Sequence, residues 1–276
     1  MALVTQQGLS PYSAPLWWRL IATALSFALF GMGGVLLRVL VFPVLSLLPG
    51  DAETHRRRAR GVISWVFRAF VRFMFRSGVL TYEVQGAERL GRPGQLVLAN
   101  HPSLIDVVVL IAFIRDANCV VKQSLWDNPY MRGPIRAAQY ISNSGSLDML
   151  DEAAAALHGG QTLVIFPEGT RTSPGQPPEF HRGAAAIALR GARIITPVAI
   201  SVTPTTLTKA EPWYRIPSRR FHIRLRVGED IDPQLFRAQG SAPVASRKLN
   251  EFLHRHFIKE LAVDERFTAG NQTPDH

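Results

Sequence analysis

Two short segments carry side chains suited to chemistry. The first, Asn100-His101-Pro102-Ser103-Leu104-Ile105-Asp106, sets a histidine and a carboxylate five positions apart where an apolar strand pattern over Gln95–Ala99 turns helical. Histidine is the natural general base near neutral pH, and a neighbouring carboxylate fixes its tautomer and stabilises the imidazolium. On a continuous helix, five positions would separate the two side chains by about 140°. Pro102 removes that obstacle, because it holds His101 extended and suits the first position of a helix. The sequence therefore predicts a strand, a tight turn and a helix, with Asp106 in the early helical turns reaching back to His101.

The second segment, Phe166-Pro167-Glu168-Gly169-Thr170-Arg171, follows another apolar strand pattern, Thr162–Ile165. Pro167 ends the strand ladder, and Gly169 permits a positive φ or a close backbone approach. Arg171 can clamp a phosphate or carboxylate through two parallel bonds, and Glu168 can accept bonds from hydroxyls. Farther on, His181, Arg182 and Gly183 open a helix whose N-terminus favours anions. Taken singly, a His-Asp spacing is most often coincidence, and Glu168 with Arg171 reads as an ordinary surface ion pair. In combination they describe proton transfer beside an anion-holding turn. No histidine has zinc-ligand spacing with His101, so no metal is expected. Cys119, the single cysteine, lies in an apolar run and reads as a buried, inert thiol.

These segments need a rigid frame. From residue 79 onward, short apolar runs (80–84, 95–99, 119–122, 139–141, 162–166, 194–201, 221–227) alternate with helical stretches (103–114, 125–136, 146–158, 180–189, 245–261). That alternation predicts an α/β domain over 78–276, with a mostly parallel central sheet flanked by helices. Residues 203–219, with three prolines, Trp213 and Tyr214, read as a long loop near an entrance or membrane face. The last ten residues are expected to fray.

Residues 1–77 read as a membrane-anchoring helical region. Positions 21–37 form seventeen consecutive residues without a formal charge, long enough for roughly 26 Å of helix against a bilayer core of about 30 Å. Two arrangements fit. One is a single tilted span with Arg38 snorkelling and Pro43 kinking the helix; the other is a hairpin in one leaflet, with Gly31, Gly33 and Gly34 at the bend or at a close helix contact. Arginines crowd after this stretch, which places the rest of the chain on the cytoplasmic face. Arg60, Arg68, Arg72 and Arg76 recur at multiples of four among aromatic residues, the pattern of a helix with guanidinium groups among lipid phosphates. The competing pattern is a domain helix with arginines along one edge. A net charge of +10 suits anionic lipid or an acidic carrier protein, and no nucleic-acid-binding motif is present.

The two chemical segments together resemble the glycerolipid acyltransferase family, in which a His-x4-Asp motif (here His101 and Asp106) precedes a Phe-Pro-Glu-Gly-Thr-Arg block (here Phe166 to Arg171). A later proline after an apolar strand corresponds to Pro197. The resemblance implies that His101 deprotonates an acceptor hydroxyl for attack on an acyl thioester, with Asp106 orienting it. It further implies that Glu168, Gly169, Thr170 and Arg171 hold the acceptor headgroup, that acyl-CoA or acyl carrier protein is the donor, and that no cofactor is needed. The most typical acceptor is a lysophospholipid, 1-acylglycerol-3-phosphate. One position departs from the pattern: Asn143 stands where the lysophosphatidate enzymes carry an arginine, and Lys122, Arg132 or Arg136 would have to supply the charge. The same chemistry on another lipid or polyene acceptor, or a silent lipid-binding protein, are the alternatives.

Overall fold

The computed structural model describes residues 4–5, 14–173, 176–209 and 211–270. Eight strands form one sheet in the order β1-β2-β8-β7-β3-β6-β4-β5. They are β1 (Val4–Thr5), β2 (Leu80–Gln85), β3 (Gln95–Ala99), β4 (Ala117–Lys122), β5 (Ile141–Asn143), β6 (Thr162–Ile165), β7 (Ile194–Thr203) and β8 (Phe221–Val227). The run from β7 to β5 is parallel throughout, while β7–β8 and β1–β2 pair antiparallel. β3 is buried over its full length, as a parallel strand covered on both faces must be. Its side chains alternate between the faces: Val97 and Ala99 join one apolar cluster, Leu96 and Leu98 the other.

Helices α3 (Ala52–Arg76), α4 (Asp106–Ala112) and α5 (Arg132–Ala138) cover the first face; α6 (Leu147–His158), α7 (Arg182–Gly191) and α9 (Ala242–Gly270) cover the second. A short α8 (Gln234–Arg237) precedes α9. Four of the ten C-terminal residues expected to fray fall within α9; the other six lie outside the described residues. Two expected helices are shorter than their patterns. The expected helix over 125–136 begins only at Arg132, because the Asn128 side chain accepts the amides of Tyr130 and Met131 and holds a turn ahead of it. Gln139 then ends α5 in the left-handed region (φ 49°), which moves β5 two residues past its predicted place. Pro197 lies within β7, where pairing with β8 begins only at Val198.

At the N-terminus, α1 (Leu16–Leu36), a π-helical turn (Leu37–Val41) and α2 (Phe42–Ser46) form one continuous apolar rod. The chain reverses at residues 47–51, where the Asp51 carboxylate caps α3. The bend is therefore not at Gly31, Gly33 and Gly34. Gly34 instead lets the rod pack on the backbone of Tyr130, whose carbonyl a Cβ would strike. The domain lies along the rod from end to end. Trp18 donates to the Ser77 carbonyl at 3.0 Å, Phe30 stacks on Phe67, and Gly133 fits beneath Arg38. The other side of the rod exposes Trp17, Ile21, Met32, Leu36 and Leu40.

The arginine stripe of α3 does other work than the lipid pattern predicts. Arg60 is buried and donates Nε to the Ala138 carbonyl at 2.8 Å and Nη1 to Gln161 at 3.0 Å. Arg68 donates twice to the Ala112 carbonyl. Ala138 and Ala112 end α5 and α4, whose last carbonyls lack intrahelical partners and carry the negative end of the helix dipole. Two stripe arginines thus fasten α3 to the domain, Arg60 from a buried position and Arg68 from an exposed one; Arg72 and Arg76 are exposed. Arg60→Ala should lower stability in urea titrations by about 2–3 kcal/mol, since it strands buried acceptors. Arg57→Ala, one position outside the packed face, should change it by about 0.5 kcal/mol or less.

Candidate active site

The chemical segments both leave the C-terminal edge of the sheet, from the adjacent parallel strands β3 and β6. In open α/β sheets that edge is where ligands bind. Asn100, the first residue past β3, clips itself to β7 with two bonds, Nδ2 to the Ile200 carbonyl (2.8 Å) and Oδ1 from the Ile200 amide (2.7 Å). The clip fixes where His101 starts.

His101 Nδ1 lies 3.1 Å from Oδ2 of Asp106, and the Ser103 amide donates to the same oxygen at 2.6 Å. The contact predicted between His101 and Asp106 is present, but by a different local route. The helix does not begin at Pro102 or Ser103; Asp106 is the first residue of α4, and residues 102–105 form a turn closed by its carboxylate. The Leu104 amide is also drawn out of helical register, to the carbonyl of Leu207 at 3.1 Å. The Ser103 amide can only donate, so Oδ2 is an acceptor, and any proton on Asp106 belongs on Oδ1. Nδ1 therefore carries the imidazole hydrogen and Nε2 presents a lone pair, the form a general base requires. The Phe166 ring packs against the imidazole, with centroids 4.6 Å apart.

Glu168 is buried, and its Oε1 accepts the His101 amide at 2.9 Å. Gly169 has φ 63° and lies under the His181 ring, so it supplies both the positive φ and the close approach expected of it. His181 precedes α7, as predicted. Arg171 is half-buried and directs Nη1 at the carbonyls of Leu207 and Thr208, each at 2.9 Å. Its Nε and Nη2 have no protein partner among the described residues. Thr170 is half-buried at the lip of the turn.

The Acyltransferase family model matches residues 81–201, which include both segments. A 1-acyl-sn-glycerol-3-phosphate acyltransferase of Pseudomonas aeruginosa is 27% identical over 186 residues, covering 65% of this chain and 70% of that one. An enzyme of the same name from Helicobacter pylori is 25% identical over 172 residues, covering 60% and 69%. Residues 81–201 belong to the Acyltransferase family. The crystal structure of PlsC, the 1-acyl-sn-glycerophosphate acyltransferase of Thermotoga maritima, shares the fold, with a TM-score of 0.67 over 88% of this chain and 98% of that one, at 24% identity.

Within this acyltransferase, Lys122 and Asn143 lie farther out. They are register partners at the ends of β4 and β5, and both are exposed. At about 4.8 Å per strand, two and three strands separate them from β3, roughly 10 and 14 Å along the edge. Neither side chain bonds to His101, Glu168 or Arg171 among the described residues. Sequence reasoning passed over Leu207, whose carbonyl gathers Arg171 and the His101 turn; its φ of 54° is a backbone property with no signature in a leucine.

Two buried carboxyl oxygens, Asp106 Oδ1 and Glu168 Oε2, have no hydrogen-bond partner among the described residues. Burial pushes the Asp106 carboxyl up, against the His101 bond and charge, the Ser103 amide and the Arg171 charge. Burial also raises Glu168, from 4.5 to about 7, against the His101 amide bond and with the help of the nearby Asp106. Near neutral pH Glu168 is therefore partly protonated and can donate as well as accept. Because its folded-state value is raised, its contribution to stability is fully present below pH 4.5 and is lost as pH rises to about 7. The loss should be at most roughly 3 kcal/mol. Glu168→Gln keeps the acceptor for the His101 amide and should remove that share of the slope, measured by urea unfolding at stepped pH.

Proposed function

We propose that this enzyme transfers a fatty acyl group from a thioester donor to the free hydroxyl of 1-acylglycerol-3-phosphate, giving phosphatidate, at the face of a membrane. The observation that carries the reading is the contact of His101 Nδ1 with the buried Asp106 carboxylate, which leaves Nε2 as the free ring nitrogen, beside a turn whose Glu168 is bonded to the His101 amide. Nε2 takes the acceptor proton as the hydroxyl oxygen forms a bond to the thioester carbonyl. The tetrahedral intermediate collapses with cleavage of the carbon–sulfur bond, and the imidazolium returns the proton to the leaving thiolate. Asp106 holds the ring and favours the transient imidazolium.

Arg171 has two uncommitted guanidinium nitrogens for the acceptor phosphate, and Lys122 supplies a second cation on the same edge where Asn143 supplies none. The names of the relatives support lysophosphatidate as acceptor. The basic surface suits acyl-CoA or an acidic acyl carrier protein as donor. The exposed apolar side of the 16–46 rod supports membrane attachment, and its other side supports attachment within one leaflet. An upright span would draw Ser77, the α3 helix and residues 128–133 into hydrocarbon along with it. The arginines that open α3 favour the anionic cytoplasmic leaflet.

The test is acyl transfer from a labelled long-chain thioester to lysophosphatidate and to phosphate-free lysolipids. Labelled phosphatidate from the wild type and none from His101→Ala is the expected result; transfer only to phosphate-free acceptors would overturn the acceptor, and thioester loss without acylated lipid would overturn transfer. Arg171→Ala should raise KM for lysophosphatidate at least roughly tenfold more than KM for the thioester. Equal increases would remove Arg171 from the headgroup site.

A further inference from the structure

The segment joining β7 to β8, residues 204–220, is long, yet it is pinned on its inner side. Near its start, the Leu207 carbonyl accepts the Leu104 amide and Arg171 Nη1. In its middle, the Trp213 ring meets Phe27 of α1 at a centroid distance of 5.5 Å. Toward its end, the Ser218 carbonyl accepts Arg19 Nη2. Arg19 is 3% exposed, the one charged residue near the start of the apolar rod, and it divides its donors between this carbonyl and that of Ala14. Phe27 and Arg19 are eight residues apart, so the segment runs antiparallel to α1 for about 12 Å.

Its outer side has a different character. Trp213 is 41% and Tyr214 61% exposed, and they lie beside a rod whose own outer side is apolar and uncovered. Lys209, Arg215 and Arg219 are exposed and Arg220 half-exposed, against the single acid Glu211. None of these four cations has a carboxylate partner among the described residues. Aromatic rings flanked by unpaired cations, continuous with an apolar helix, match the level of a bilayer where acyl chains give way to phosphates.

We propose that residues 204–220 are an interfacial strap. Trp213 and Tyr214 seat among the headgroups of an anionic bilayer, and the strap's bonds through Leu207 place the His101 turn and Arg171 at that same level, where the acceptor lipid is exposed. The inference rests on the reading that the acceptor is drawn from a membrane, and it adds a second contact besides the N-terminal rod.

Cys119 is buried and is the only cysteine, so Tyr214→Cys in a Cys119→Ser background accepts one environment-sensitive fluorophore. On adding vesicles of phosphatidylglycerol and phosphatidylethanolamine, the label should shift to the blue and be quenched by lipids spin-labelled near the glycerol, more than by lipids labelled at the chain end. Protein that sediments with vesicles while its label remains in water would overturn the strap. Protein that does not sediment at all would overturn the membrane reading beneath it. In kinetics, Trp213→Ser with Tyr214→Ser should lower kcat/KM roughly tenfold for long-chain lysophosphatidate presented in vesicles, the effect of losing partial burial of aromatic surface. Turnover of a short-chain, monomeric acceptor should be unchanged. Equal loss on both acceptors, or loss on neither, would contradict the proposal.

Discussion

One carboxylate oxygen organises this site. Asp106 Oδ2 accepts both the Ser103 amide and His101 Nδ1 from a fully buried position. A buried carboxyl is costly unless its oxygens find donors, and here the donors are the turn and the base themselves. The bond that closes residues 102–105 into a non-helical turn is made by the atom that orients the imidazole. Folding of the turn and preparation of the base are a single event, so loss of the carboxylate would disturb both.

The rest of the architecture places that turn. Parallel pairing of β3 with β6 brings two loops to one edge of the sheet, and the Glu168 bond to the His101 amide ties them. The Asn100 clip to Ile200 ties the same turn to β7, and the Leu207 carbonyl ties it to the long connection that follows β7. The His101 turn is therefore held from three neighbouring segments, through the Glu168 carboxylate, the Asn100 carboxamide and the Leu207 backbone carbonyl. The N-terminal helices extend this frame into the apolar rod. Arg60 and Arg68 bind α3 to the free carbonyls of α5 and α4, and α1 packs on α3 and on the strap.

Much of this was legible because it depends on local chemistry. The apolar run Gln95–Ala99 could only be a doubly covered strand, and β3 has those bounds. Ser146 caps α6 where the helical stretch over 146–158 is expected to begin. Gly169 takes the positive φ its residue type allows. The failures came where a distant partner decided the outcome. Helical periodicity over 103–114 lost its first turn to the Asp106 carboxylate and the Leu207 carbonyl, and the 125–136 pattern lost half its length to the Asn128 turn. The arginine stripe of α3 has the spacing of a lipid-facing helix, and nothing in that spacing reveals that helix C-termini from other parts of the chain would take Arg60 and Arg68. The segments that carry the resemblance gave the side chains that meet at this edge of the sheet; the contacts that hold them are tertiary.

The most direct test of this account is the tautomer of His101 in the resting enzyme, read by nitrogen-15 NMR of histidine-labelled protein in detergent, with its signals assigned by their loss in His101→Ala. A proton on Nδ1 and an unprotonated Nε2, exchanged for a mixture of tautomers in Asp106→Asn, is the result the geometry requires. A proton resident on Nε2 in the wild type would mean that His101 does not present the lone pair on which the proposed acyl transfer depends.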